Sequence, residues 1–387
     1  MIERTERPGR WRLAQAATLL IFILSRALYF AGGILFAVEP VAKFWQMIDP
    51  RLMRADLWRS IWYLHMQPPG YNLAIGLIVK LFPGAYGNVL WAIHLAIGLG
   101  IALTLLHLMR LFAVPAWIAV ALTTLFIAAP GTVLFETEAV YEYPILLLVL
   151  LSAVALLRFC GTGKLAWSAG FFGCLLALEM IRNSFHPIYV VIVAAALFRF
   201  LPRSRRAVVL GSLVALAPVL AVCAKNQALF GRFTTSTWAG MATGVVTTFQ
   251  LTPEEADNLI ERGIVSPLAK ITPFSELSAY YPYIRMPAKT GIPVLDDEMT
   301  STGHANFNHL AYLQLHDMYV KDAEATLLHY PKAYARSIAI AWFSYFLPTS
   351  DLHYFDERLQ PIRRWDRVYS VVVFGQFLRA ESRKDLR

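Results

Sequence analysis

Two aspartates, a histidine and a Pro-Pro turn stand close together in DPRLMRADLWRSIWYLHMQPPGYN, residues 49–72. A carboxylate held within hydrogen-bond reach of a hydroxyl can take its proton and make it a nucleophile. Asp49 is the first choice for such a base. Asp56 lies seven residues on, which in a helix puts both on one face. The pattern also has a plain structural reading, because Asp49 followed by Pro50 suits a helix N-cap with proline at the first helical position. A cap can also be a base, so the two readings are compatible. His65, beside the turn, suits contact with a phosphate or a metal, or a satisfied place at an interface.

Two cations suit a phosphate group. Arg182 offers a planar fork of donors, and its alternative is an internal ion pair with Glu179, three residues earlier. Lys225 is second, with a snorkelling interfacial lysine as its alternative. Glu136 and Glu138 in LFETEAV (134–140) can orient a polar acceptor, hold a divalent metal together with Asp49, or form a solvated loop face. Glu142 sits between two tyrosines and suits the same uses. His304, Asn306, Asn308 and His309 in GHANFNH form a polar cluster whose spacing is unlike a zinc motif and suits sugar or acceptor contacts. Trp45, Trp58, Trp62 and Tyr63 fit an interfacial aromatic belt, and aromatic faces also pack on pyranose rings.

These residues are spaced out between long apolar runs. The chain is 57% hydrophobic with 16% charge, and its mean hydropathy is +0.50. That balance predicts an all-α polytopic membrane protein. The runs fall at roughly 13–35, 88–110, 115–133, 141–159, 165–181, 186–200, 206–224 and 333–348, giving about eight spans. The stretch 71–82 is apolar but short: twelve helical residues cover about 18 Å of a hydrocarbon core of about 30 Å. It reads as an interfacial or re-entrant helix. The net charge of +9 comes from cations at the ends of spans, which reads as orientation signal rather than a nucleic-acid surface. Cys160, Cys174 and Cys223 lie in or beside apolar runs with no metal or disulfide spacing.

Charge fixes the expected orientation. Arg4, Arg7, Arg10 and Arg12 precede the first span, which reads as a retained signal anchor. With that end in the cytoplasm and 71–82 not crossing, Arg110, Arg158, Lys164, the basic connection Arg199, Arg203, Arg205 and Arg206, and the tail from Arg363 all fall inside. The loop 37–87, the acidic connection 134–140 and the polar segment 225–331 then face outward together. The expected domains are a transmembrane catalytic core, 1–224, an exoplasmic segment, 225–331, and a C-terminal span with a basic tail, 332–387. The piece 366–378 is too short to cross.

The acidic loop after the first span, Asp49 ahead of His65-Met66-Gln67-Pro68-Pro69-Gly70, and the acidic second outer loop resemble membrane glycosyltransferases of the GT-C type. The nearest likeness is to the bacterial protein O-mannosyltransferase and aminoarabinose-transferase branch. LEMIRNSFHPIY (178–189) looks like that family's short helical pair with an arginine at its outer turn. KNQALFGRF (225–233) is similar to its Arg-Asn-x-x-x-x-Gly signature, with Lys225 in place of the arginine. The family's acidic Asp-Glu pair reads Asp49-Pro50 here. The likeness covers about residues 13–240.

The resemblance implies inverting transfer of a sugar from a polyprenyl-phosphate donor to a glycan, lipid or protein acceptor, at the outer face of the cytoplasmic membrane. It implies Asp49 or Asp56 as the base and Arg182, Lys225 and His65 at the donor phosphate. Glu136, Glu138, Asn306 and His309 would contact acceptor or sugar. No cofactor follows beyond the divalent metal left open above. Two other functions compete: a transporter or flippase of a lipid-linked substrate, and a non-catalytic membrane subunit of a glycan assembly complex. Transporters commonly carry internal repeats, and none is evident here.

Overall fold

A computed structural model describes residues 8–346 and 349–374. The tail beyond Phe374, Arg4 and Arg7, and the last residues of the runs 333–348 and 366–378 lie outside the described residues. Within them the chain is all-helical, and extended pairing is limited to two isolated bridges. The chain separates into two compact units. Of the described residues, one holds 8–41, 81–221 and 349–374, and the other holds 42–80 and 222–346.

The first unit contains the long apolar helices. Among the described residues four helices are long and apolar enough to cross a membrane: Gly9–Ala31, Tyr86–Leu111, Glu142–Thr162 and Pro202–Phe230. The run 115–133, expected as one span, is instead two helices, Ala116–Ile127 and Pro130–Glu136, bent by 63°. The reason is local: Pro130 cannot continue a helix but suits the first turn of a new one. If that bent pair counts as one span the number rises to five. Leu165–Ile181 and Pro187–Phe200 are apolar but shorter.

Packing in this unit is helix on helix. Glu142–Thr162 lies against both Leu165–Ile181 and Tyr86–Leu111, while the first helix, Pro8–Ala31, packs on Ala116–Ile127. Phe159, Phe171, Phe172, Val190 and Val208 form one apolar cluster. Buried Trp11, Leu106 and Ala119 form another, nearer the N-terminus. Many outward residues of these helices are large and apolar, for example Leu28, Leu122, Ile192 and Leu213. That is the surface expected of a helix bundle whose solvent is lipid.

The second unit is built from short helices and turns. Pro50–Ala55, Leu57–Trp62 and Pro69–Leu81 carry the loop read first in the sequence. The 71–82 stretch is helical, burying Tyr71, Asn72, Ile75, Gly76 and Val79 along one face. Ala239–Val246 packs on Ala311–His329 so closely that a Cβ on Gly240 would strike the backbone of His316. Only glycine permits that approach. Helix Pro331–Tyr345 covers the expected last run, but it is not among the helices apolar enough to span. Its Arg336 pairs with Glu255 at 3.0 Å.

Candidate functional site

The sequence-predicted residues divide between the two units. In the first, Glu136 ends the short helix Pro130–Glu136 and is 1% exposed. Arg26, in the C-terminal part of the first helix, donates its Nε to Glu136 Oε1 at 2.8 Å, and its Nη2 bonds the other oxygen. Arg26 Nη1 donates to the Ile127 carbonyl at 2.7 Å, and the guanidinium lies over the Phe22 ring. Tyr143 donates to Glu136 Oε2 at 2.5 Å, and His94 Nδ1 donates to the Glu136 backbone carbonyl at 3.0 Å. Gly98, one turn from His94, is where this network passes closest to a backbone: a Cβ there would overlap the Glu136 carboxylate. A charge among apolar helices is expensive unless paired, and here every side-chain polar atom of Glu136 has a partner. Glu136 is therefore occupied in holding helices together.

Glu138 has the same fate. Arg358 bonds its Oε1 and also donates to the Thr137 carbonyl at 3.0 Å, while Tyr354 donates to Oε2 at 3.1 Å. Neither glutamate forms the solvated loop face that was one reading of 134–140, since Glu138 is 2% exposed.

Arg182 differs from these arginines. It caps the end of Leu165–Ile181 with extended backbone angles, φ −144° and ψ 127°. Leaving the helix there carries its side chain away from Glu179. It meets Glu142 at 3.7 Å and lies over the Tyr141 ring at 5.3 Å, with 40% of the side chain exposed. The Glu179–Arg182 pair, the alternative reading of Arg182, does not form among the described residues. Both Glu179 oxygens are buried without a hydrogen-bond partner among the described residues. Arg182 is left as a half-exposed guanidinium at the end of an apolar helix.

In the second unit, Asp49 caps Pro50–Ala55 as its sequence suggested, with Pro50 at the first helical position. Oδ1 accepts from Arg51 N at 2.8 Å and from Ser301 Oγ at 2.6 Å, and Oδ2 accepts from Ser301 N at 2.7 Å. A carboxylate has about four acceptor positions, so most of its capacity is taken. Asp56 does not share a helical face with Asp49, contrary to the spacing argument. The first helix stops at Ala55, and Asp56, at φ −140°, is the junction to Leu57–Trp62. Its side chain makes no cap hydrogen bond and is half-buried. Of the two aspartates, Asp56 keeps its acceptor capacity.

The structure brings His65 and the GHANFNH segment together. His65 Nε2 donates to the Asn308 carbonyl at 2.9 Å, and Nδ1 pairs with Thr237 Oγ1 at 2.8 Å. A carbonyl only accepts, so the ring carries its proton on Nε2 and Nδ1 accepts from the threonine. Asn308 Oδ1 accepts the backbone N–H groups of His65 and Met66, at 2.8 and 3.1 Å. Lys225 Nζ donates to the carbonyls of Trp62 and Leu64, at 2.9 and 2.8 Å, closing the end of Leu57–Trp62. Asn306 donates to the Val294 and Asp297 carbonyls, at 3.1 and 2.6 Å, and accepts from Asn308 N. His309 Nδ1 accepts from Ala311 N at 3.1 Å, opening the helix that follows. Burial pushes the His65 imidazole down to about 3, and Lys225, His309 and His316 add to the shift by repulsion. This is a neutral, structural histidine that fixes the turn before Pro68-Pro69.

Sequence reasoning missed Arg26, Tyr143 and Arg358. Arg26 carried a usable signal, because an arginine inside an apolar run of this length needs a buried partner. Asn308 was read as an acceptor or sugar contact, and here it grips the His65 turn. Among the described residues, no three His, Cys, Asp or Glu side chains are grouped so as to hold a metal ion. Comparison of the chain with family models, with curated proteins and with solved structures gave no match.

Proposed function

We propose that this chain is an inverting membrane glycosyltransferase of the GT-C type, moving a sugar from a polyprenyl-phosphate donor to a glycan, lipid or protein acceptor. The observation that carries the reading is Arg182. The arginines at 26 and 358 are consumed by buried glutamates, whereas Arg182 stands half-exposed beside an apolar helix end, with a 3.7 Å contact to Glu142 and the Tyr141 ring beneath it. That is the placement a lipid phosphate needs: alkyl chain along apolar helices and anionic group at a planar fork of donors. In the reaction the acceptor oxygen bonds to the anomeric carbon as the carbon–phosphate-oxygen bond breaks. The electron pair leaves with the phosphate, and the acceptor proton goes to a base. Asp56 is assigned as that base, because Asp49 is taken up by Arg51 and Ser301. The remaining features follow the sequence expectation: about eight spans, an interfacial 71–82 helix, a cytoplasmic N-terminus, and the site on the periplasmic or extracellular side of the cytoplasmic membrane.

The test is release of free polyprenyl phosphate by purified protein given defined polyprenyl-phosphate sugars, with membrane extract as the source of acceptor. Wild type should release phosphate lipid and Asp56→Asn should not. Arg182→Ala should weaken donor binding about tenfold or more, the scale of one charge-assisted contact. Release that survives in Asp56→Asn would remove its role as base.

A second reading has its own support. Asp49, Glu136, Glu138 and Lys225 are all committed to internal contacts, as expected of a membrane subunit that holds a partner enzyme. No release from any donor, with intact binding of the donor lipid, would favour it.

A further inference from the structure

Within the second unit an open cavity of about 320 Å³ is lined by Lys43, Trp45, Phe274, Glu276, His304 and Phe307. Its volume lies at the small end of ligand pockets, which run from about 300 to 1,000 Å³. The geometry points to a pyranose-binding site here, with the Trp45 ring face as the platform. This deepens the proposed glycosyl transfer and rests on it for the expectation that the protein meets a sugar.

Three observations converge. First, Trp45 is 37% exposed although its ring is stacked on buried Trp238, at 4.7 Å and 9°. Phe274 and Phe307 stand edge-on to Trp45 at 4.7 and 6.2 Å, which holds the indole in one plane. A fixed ring lining the cavity suits the C–H face of a pyranose. Second, the rim carries a cation, an acid and an imidazole, so hydroxyls around a sugar ring find both donors and acceptors. Third, Phe274 has φ +64°, a left-handed conformation that bulky residues rarely adopt. Such strain persists where surrounding structure enforces it, and it clusters at binding sites.

The cavity is also braced. Residues 299–305 close on themselves through the Met299–Ala305 bridge and the Thr300 N to His304 carbonyl bond of 2.7 Å, presenting His304. Ser301 is bonded to Asp49, and Thr302 Oγ1 donates to the Ala42 carbonyl at 2.6 Å. Asp49 thereby ties the His304 turn to the segment bearing Lys43 and Trp45. Its role here is positioning: it keeps two walls of one cavity together.

Binding can be read without turnover. Protein in lipid nanodiscs is titrated with methyl glycosides of glucose, mannose, galactose and N-acetylglucosamine, and with the same sugars on a short polyprenyl phosphate. Saturation-transfer NMR reports which sugar protons lie against the protein. At least one sugar should receive saturation on its ring-face protons. Trp45→Ala should weaken that binding about tenfold or more, while Trp45→Phe, which keeps a ring face, holds within about threefold. Lys43→Ala and His304→Ala, at the rim, should each weaken it several-fold and guard against a folding artefact at Trp45. Equal binding of methyl and lipid-linked sugars places the acceptor glycan here. Tighter binding of the lipid-linked form, lost in Trp45→Ala, places the donor's sugar here. Binding of none of these sugars overturns the site, as does binding unchanged in both Trp45→Ala and Lys43→Ala. Failed sugar transfer with intact sugar binding would instead count against the proposed enzyme alone.

Discussion

The two units dispose of their buried acids by different means. In the helical unit Glu136 is neutralised by a full guanidinium, Arg26, and by the Tyr143 hydroxyl. In the other unit Asp49 is held by two backbone N–H groups and a serine hydroxyl, with Arg51 only at 3.7 Å. Among apolar spans the backbone N–H groups are consumed by the helices themselves, so an acid there must find a side-chain cation. Where short helices and turns meet, free N–H groups are plentiful and a cap suffices. Glu179 is the exception to that rule. It is as buried as Glu136 and has neither kind of partner among the described residues.

The largest expected effect follows from that contrast. Glu136→Gln leaves Arg26 charged and uncompensated among apolar helices, and breaking such a pair costs about 3–5 kcal/mol. Thermal unfolding in detergent should show a large drop, with low yield of inserted protein. Glu179→Gln, an isosteric change at which no hydrogen bond is lost, should cost much less than Glu136→Gln. Similar losses in the two variants would break the distinction between paired and unpaired acids.

Asp49→Ala should come next, at about 1–3 kcal/mol, through loss of the cap and of both Ser301 contacts. Asp56→Asn should leave the unfolding transition in place. A reversal, with Asp56 the more destabilising, would show that the second helix depends on it as a cap.

Some of this arrangement was legible in the chain. The apolar runs mark the helices, and Asp49-Pro50 marks a helix start that the structure places where the pair stands. Spacing rules failed where the helix they assumed was interrupted. Asp49 and Asp56 are seven apart, but the backbone breaks at Asp56. Arg182 is three beyond Glu179, but it sits outside the helix and turns to Glu142. The bend in 116–136 was written as Pro130 and overlooked inside an otherwise apolar run. Long-range pairs were not legible at all. Nothing local says that Arg26 meets a glutamate 110 residues away, or that Asn308 would grip the His65 turn. In the second unit the sequence placed the chemistry-bearing residues near turns. It could not show that most of them are spent on holding those turns.

His65 gives an effect that depends on pH. Its folded-state imidazole is pushed down to about 3 by burial, against about 6.5 in an unfolded chain. Between those values the unfolded state binds more protons, so stability rises with pH across the window. The contribution is whole above about 6.5 and drains away as pH falls toward 3. Unfolding midpoints measured from pH 7 to pH 4 should decline. His65→Gln, which keeps a donor and an acceptor but does not titrate, should flatten part of that decline at the cost of some stability at pH 7. An unchanged slope in the variant would assign the acid sensitivity to other groups.

The smallest effect is expected at Arg232 and Asp317, a bidentate pair in the second unit whose side chains are 35% and 43% exposed. Its geometry is better than that of Arg26 and Glu136 by no obvious measure, but water reaches it. Exposed pairs of this kind contribute about 0–1 kcal/mol, and salt screens them. A double-mutant cycle with Arg232→Ala and Asp317→Ala should give a coupling below about 1 kcal/mol that shrinks between 0.05 and 0.5 M salt. Applied to Arg26 and Glu136, the same cycle should give a larger coupling that salt barely moves. If both couplings respond to salt alike, the Arg26–Glu136 pair is open to water, and the apolar surroundings invoked for Glu136 no longer explain why its partner had to be a guanidinium.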